Sequence, residues 1–119
     1  MLLEEMIQSL KKGEAVTLDH VDTVADGLGA PMAGDLNYEI VKRHVEDVVL
    51  VSDTEIRHAM ALILARAKLL VEPAGAAAVA ALLAGKIPLS KGPVVAVLSG
   101  GNVDMDRLPD LLAGTAGPV

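Results

Sequence analysis

The stretch Val94-Val95-Ala96-Val97-Leu98-Ser99-Gly100-Gly101-Asn102 limits the possible folds of this chain more than any other. Residues 94–98 form an unbroken run of small, mostly β-branched apolar side chains, which predicts a short strand buried on both faces. A strand of that kind belongs in a parallel sheet covered by helices, because only there are both of its faces removed from water. Open sheets of this type place ligands at the carboxyl ends of their strands. Two glycines follow, permitting backbone angles closed to other residues and close approach of a ligand to the main chain. Ser99, at the strand's last position, and Asn102, just past the turn, are therefore candidates for contact with a small molecule. Glycine-rich turns also end many strands that bind nothing, so the loop alone does not decide the matter.

The rest of the chain supplies the helices such a sheet needs. Apolar positions at Leu2, Leu3, Met6, Ile7 and Leu10 recur at helical spacing, and Gly13 follows as a stop signal, predicting a helix over residues 2–12. Residues 14–22 alternate loosely and read as extended. Residues 23–34 carry Gly27, Gly29, Pro31 and Gly34 and read as a loop. A helix is predicted over 37–47, then a short apolar strand over 48–51. Ser52-Asp53-Thr54-Glu55 has the capping-box spacing and opens a long helix running to about Val71. Pro73 suits the first turn of a second helix over 73–84, with Glu72 at its N-cap and Gly85 as terminator. That helix is alanine-rich, and Gly75 near its start permits close approach, most often by another helix. A last helix is predicted over 103–112, interrupted or restarted by Pro109, and residues 113–119 read as a frayed tail. The order predicts an α/β fold with parallel strands. Only two strands are evident where an independent sheet wants three or more, so the pattern reads as part of a larger fold.

Composition removes several functions. A length of 119 residues fits one small domain. A net charge of −6 disfavours binding to a phosphate backbone, and Tyr38 as the sole aromatic offers no stacking platform for bases. With no cysteine, disulfides, thiolate metal sites and cysteine nucleophiles are excluded. No apolar run approaches the roughly 18 residues of a membrane span, and the acidic start Met1-Leu2-Leu3-Glu4-Glu5 is unlike a secretory signal. A soluble cytoplasmic protein is expected.

Few residues carry chemistry on spacing alone. Ser99 has no partner in sequence that would make it a nucleophile. His20, His44 and His58 are scattered and match no metal-ligand set. Lys68, near the end of the long helix, is explained by the helix dipole. Asp104 and Asp106 read as caps of the last helix. For Glu72, capping and function compete on equal terms.

Four ordered segments change that balance: Thr23-Val24-Ala25-Asp26-Gly27-Leu28; Asp47-Val48-Val49-Leu50-Val51-Ser52 with Glu55-Ile56; Arg66-Ala67-Lys68-Leu69-Leu70-Val71-Glu72-Pro73-Ala74-Gly75-Ala76; and Val97-Leu98-Ser99-Gly100-Gly101-Asn102-Val103-Asp104. Together, from about Gly13 to Asp104, they resemble the carboxyl-terminal part of the catalytic domain of threonine dehydratases and serine racemases. These are fold-type-II enzymes that use pyridoxal phosphate. The resemblance implies that residues 1–112 are the carboxyl-terminal portion of a three-layer α/β domain with parallel strands, incomplete as given, followed by the tail 113–119. It implies that Ser99 meets the pyridine nitrogen of the cofactor, a neutral hydroxyl that does not hold that nitrogen protonated. Gly27 matches a glycine whose backbone lies against one ring face, Glu72 an acidic residue beside the ring, and Asn102 part of the turn that shapes the Ser99 loop.

The departures from the family pattern are equally informative. The Schiff-base lysine in its Ser-x-Lys-x-Arg-Gly-like motif, the Gly-Asn-His stretch and the phosphate-cradling glycine loop have no counterpart in this sequence, and Gly100-Gly101 is not that loop. No catalytic residue is therefore assigned within the chain, and no metal site. The whole enzyme is expected to eliminate the β-hydroxyl of threonine or serine, giving a 2-oxo acid and ammonia, while the chain by itself is expected to be inactive. The partners expected are an amino-acid substrate, the missing amino-terminal half in cis or in trans, and further copies in a homo-oligomer. Nucleic acid and membrane are not expected. One alternative is a non-catalytic oligomerisation or regulatory module of the same fold. A weaker one is a small phosphate or nucleotide binder, which lacks a Gly-x-Gly-x-x-Gly or P-loop pattern.

Overall fold

Helical periodicity and its punctuation govern the computed structural model, which describes residues 4–89 and 92–115. The elements are α1 (Glu4–Lys12), a 3-10 turn (Asp26–Leu28), α2 (Asp35–His44), α3 (Asp53–Ala67), α4 (Pro73–Leu83) and α5 (Leu108–Leu112). Two compact units result, residues 1–50 and residues 51–119.

In the first unit α1 packs on α2 around Met6, Ala33 and Tyr38, with Leu10, Ala15 and Val41 at the edge. The Ser9 hydroxyl fastens the exit of α1. It donates to the Glu5 carbonyl at 2.5 Å and accepts the Val16 amide at 2.9 Å, while Gly13, at φ +84°, turns the chain. Leu2, Leu3 and the end of the tail lie outside the described residues. The helix predicted over 37–47 begins two residues earlier and stops at His44, where Val45 turns extended. Glu5 is buried, and its Oε2 has no partner among the described residues. Burial pushes its carboxyl above the ordinary carboxylate range, with its own backbone opposing.

In the second unit, α3 packs along α4 and touches α5. Ile56, Ala59, Met60 and Ile63 are buried on α3, and Ala76, Ala80 and Ala81 on α4. The capping box forms as predicted: the Ser52 hydroxyl accepts the Glu55 amide at 3.3 Å, and the Glu55 carboxylate accepts the Ser52 amide at 2.6 Å. Lys86 pairs with the same carboxylate at 2.7 Å, tying the exit of α4 to the entrance of α3 and holding the Glu55 carboxyl below its usual range. α3 ends earlier than its apolar pattern suggests. Lys68 adopts the left-handed conformation at φ 59°, its amide bonding the Leu64 carbonyl and its ammonium the Ala65 carbonyl. At the other end of the unit, Pro109 occupies the second position of α5. The helix predicted over 103–112 is thereby reduced to its last turn and a half, the preceding residues forming turns instead.

The expected strands are the main correction. Neither residues 48–51 nor 94–98 form strands, and sheet pairing among the described residues is confined to one antiparallel bridge, Thr17 to Met32. A strand is defined by its neighbour's hydrogen bonds, and the described residues offer these two runs no sheet to join. The apolar pattern of 94–98 remains, now in water: Val95 is 84% exposed and Val97 69%.

Two measurements check these packing accounts. Replacing Ser52 by Ala removes the cap and is expected to cost about 1 kcal/mol in a denaturant titration. Glu5 holds its proton to higher pH folded than unfolded, so its contribution to stability is present below the ordinary carboxylate range and lost as pH rises through its folded value. Glu5→Gln is therefore expected to melt above the parent at pH 7, with the difference closing as the pH falls to about 4.

Candidate functional site

The start of α4 and the Ser99–Asn102 turn are built against each other. Glu72 is the N-cap of α4 in extended conformation, but its carboxylate does not cap its own helix. Instead Oε2 accepts the backbone amide of Asn102 at 3.2 Å, and the Glu72 amide donates to the Gly100 carbonyl at 3.2 Å. One helical turn on, Gly75 faces the Ser99 backbone. A Cβ there would overlap the Ser99 carbonyl oxygen and lie 2.9 Å from its carbon. Gly100, at φ +73°, is closed to a side chain twice over, since a Cβ would collide with the Glu72 carboxylate. The Val103 amide closes the turn on the Gly101 carbonyl at 2.9 Å.

Three of the four residues singled out in sequence thus come together: Glu72, Ser99 and Asn102. Ser99 is exposed, its hydroxyl carried on a turn fixed from behind by α4. Gly27 lies in the first unit, exposed within the 3-10 turn beside the fully buried Ala25, and its assignment rests on the resemblance. The Glu72 side chain bonds the turn and makes no cap bond to its own helix. The close approach at Gly75 comes from a carbonyl in a loop, while α3 packs along the alanines of α4 as its small residues suggested. Gly75 itself was legible only as a small residue at a helix start, since nothing in sequence says that residue 99 returns to it. Asp104 does not cap α5; its carboxylate accepts the Asp106 amide at 3.0 Å in a local turn. Among the described residues no group of three acidic or histidine side chains is placed to hold a metal ion, and no helix is long and apolar enough to cross a membrane.

Comparison with known proteins decides the family. The model for "pyridoxal-phosphate dependent enzyme" matches residues 3–100. The chain belongs to the pyridoxal-phosphate-dependent enzymes. It is 42% identical over 108 residues to the catabolic L-threonine dehydratase TdcB of Escherichia coli K12, covering 89% of this chain and 33% of that protein. It is 37% identical over 110 residues to the L-threonine ammonia-lyase of Thermotoga maritima, covering 92% and 27%. Among solved structures it resembles threonine deaminase isoform 2 from Solanum lycopersicum, with a TM-score of 0.80, 30% identity and coverage of 93% and 34%. Maize serine racemase is similar at a TM-score of 0.76, 37% identity and coverage of 90% and 35%. The chain thus spans about a third of the length of these relatives.

The one chemistry these residues could offer pyridoxal phosphate is the exposed Ser99 hydroxyl. An exposed hydroxyl on a turn held at both its backbone and its carbonyl can meet a ring nitrogen without reorganising. The groups that would hold the phosphate and the cofactor aldehyde are not among the residues of this chain.

Gly75→Ala separates the turn contact from helix propensity. At an open helix position Ala would stabilise by about 1 kcal/mol over Gly. Here overlap with the Ser99 carbonyl is expected to reverse the sign and destabilise by about 1–3 kcal/mol in equilibrium unfolding.

Proposed function

We propose that this chain is the carboxyl-terminal third of the catalytic domain of a soluble, cytoplasmic threonine (or serine) dehydratase. The rest of the domain is supplied in cis or by a second polypeptide, and the assembled enzyme is an oligomer. The observation that carries the reading is the Ser99–Asn102 turn, locked at Gly75 and Glu72 so that one neutral hydroxyl is presented at a fixed place. Similarity to dehydratases along about nine-tenths of the chain supports it.

When bound, pyridoxal phosphate supplies a ring that withdraws electrons from the substrate's α-carbon, so that the α-proton and then the β-hydroxyl can leave. The work of this chain lies at the ring's far edge. Ser99 offers the ring nitrogen a hydroxyl, which can donate a hydrogen bond without fixing a proton there as a carboxylate would. That keeps the electron sink moderate, which suits prompt loss of a β-hydroxyl. Asn102 supports the turn through its backbone amide. No lysine here stands in the sequence context that attaches the cofactor, so the chain alone is expected to be inactive.

The exposed apolar run at 94–98 favours a second reading, a non-catalytic assembly module. One experiment weighs the two. The pure 119-residue chain, and the chain mixed with a separately produced polypeptide covering the other two thirds of an E. coli TdcB-like domain, are assayed for 2-oxobutyrate formed from threonine with pyridoxal phosphate present. The dehydratase reading predicts no turnover by the chain alone and turnover by the mixture. It further predicts about a tenfold loss in the mixture on Ser99→Ala, the scale of one ring hydrogen bond. Turnover by the chain alone contradicts the proposed inactivity. A mixture that assembles but neither binds cofactor nor turns over threonine favours the assembly module.

A further inference from the structure

The family resemblance puts Glu72 beside the cofactor ring. The geometry of this chain gives its carboxylate other work. Oε2 accepts the Asn102 amide at 3.2 Å, both carboxylate oxygens lie against Gly100, and the Glu72 amide holds the Gly100 carbonyl at 3.2 Å. The carboxylate is thus placed along the Gly100–Asn102 backbone. The contacts at Glu72 and Gly75 are separated by one turn of α4: Gly75 receives the Ser99 carbonyl, and Glu72 holds Gly100 and Asn102. Gly100 must be glycine for both reasons already given, its positive φ and the carboxylate in its Cβ position.

We infer that Glu72 is a positioning residue that sets where the Ser99 hydroxyl is presented, acting through the turn and not by contact with the cofactor. A carboxylate is the suitable group for this. It is acceptor-only, so it takes the Asn102 amide hydrogen without bringing a donor that would need a partner of its own, and a bond to a charged acceptor is the stronger kind. The same carboxylate contributes nothing to its own helix as a cap, so losing it should loosen the turn while leaving α4 intact. This role for Glu72 in catalysis rests on the reading of Ser99 as the cofactor's partner. The clamp itself does not, and it is measurable without cofactor.

The test is amide hydrogen exchange by NMR on the 119-residue chain without cofactor, comparing the parent with Glu72→Ala and Glu72→Gln. In Glu72→Ala the Asn102 amide is expected to exchange about tenfold faster, in keeping with loss of a charge-assisted bond. The resonances of Ser99, Gly100 and Gly101 should shift with it, while amides 77–83 within α4 keep their parent rates. Glu72→Gln retains an oxygen acceptor and is expected to restore most of the Asn102 protection. Parent-like exchange at Asn102 in Glu72→Ala would overturn the inference. So would equal acceleration in both variants, or loss of protection spreading through α4, because the carboxylate would then be serving the helix. Absence of cofactor binding in the assembled enzyme would instead count against the dehydratase reading and leave these exchange rates as they are.

Discussion

A carbonyl oxygen resting where a side chain would otherwise be is the contact on which the candidate site depends. Gly75 opens that space at the first turn of α4, and the Ser99 carbonyl fills it. Backbone contact at this range leaves no slack. The turn cannot drift toward α4 because atoms are already touching, and it is kept from drifting away by the bonds at Glu72. Pro73 and the alanine face of α4 then matter as the means of holding Gly75 still, since α4 is anchored along α3 through Ala76, Ala80 and Ala81. α3 is itself pinned at its entrance by Ser52, Glu55 and Lys86. An exposed hydroxyl at Ser99 thus inherits its position from the packing of two helices.

Each unit carries apolar chain that its own packing leaves without a sheet. Residues 94–98 are patterned for burial on both faces and lie in water, and residues 48–51 have the same apolar character without sheet pairing. Contiguous apolar surface of this kind marks a place for contact with another surface or a ligand. The relatives are about three times as long as this chain.

What the sequence makes legible is what a residue decides from its own neighbours. The Ser52–Glu55 capping box, Pro73 at a helix start and Gly85 at φ +65° after α4 are local choices, and each appears where the spacing puts it. Residues 48–51 and 94–98 were misleading because pairing is not a property of one segment. The end of α3 was misread for a different reason: Lys68 adopts a left-handed conformation that lysine seldom takes, so no glycine announced the stop. At the site, the motifs pointed to Ser99, Glu72 and Asn102 but not to how they are joined. Residues 72 and 102 meet only because the chain returns past α4, and a return of that length leaves no periodic trace. Gly27 was marked by resemblance alone and gains no further support from its own unit.

The most direct test of the account is the intact mass of the protein purified from its natural source after borohydride reduction, with every co-purifying chain identified. The account predicts a longer chain containing these residues, or a second chain alongside this one, with a pyridoxyl group fixed to a lysine outside the 119 residues. A solitary chain of 12.3 kDa with no cofactor would contradict it. The family's architecture would then persist here without the family's chemistry.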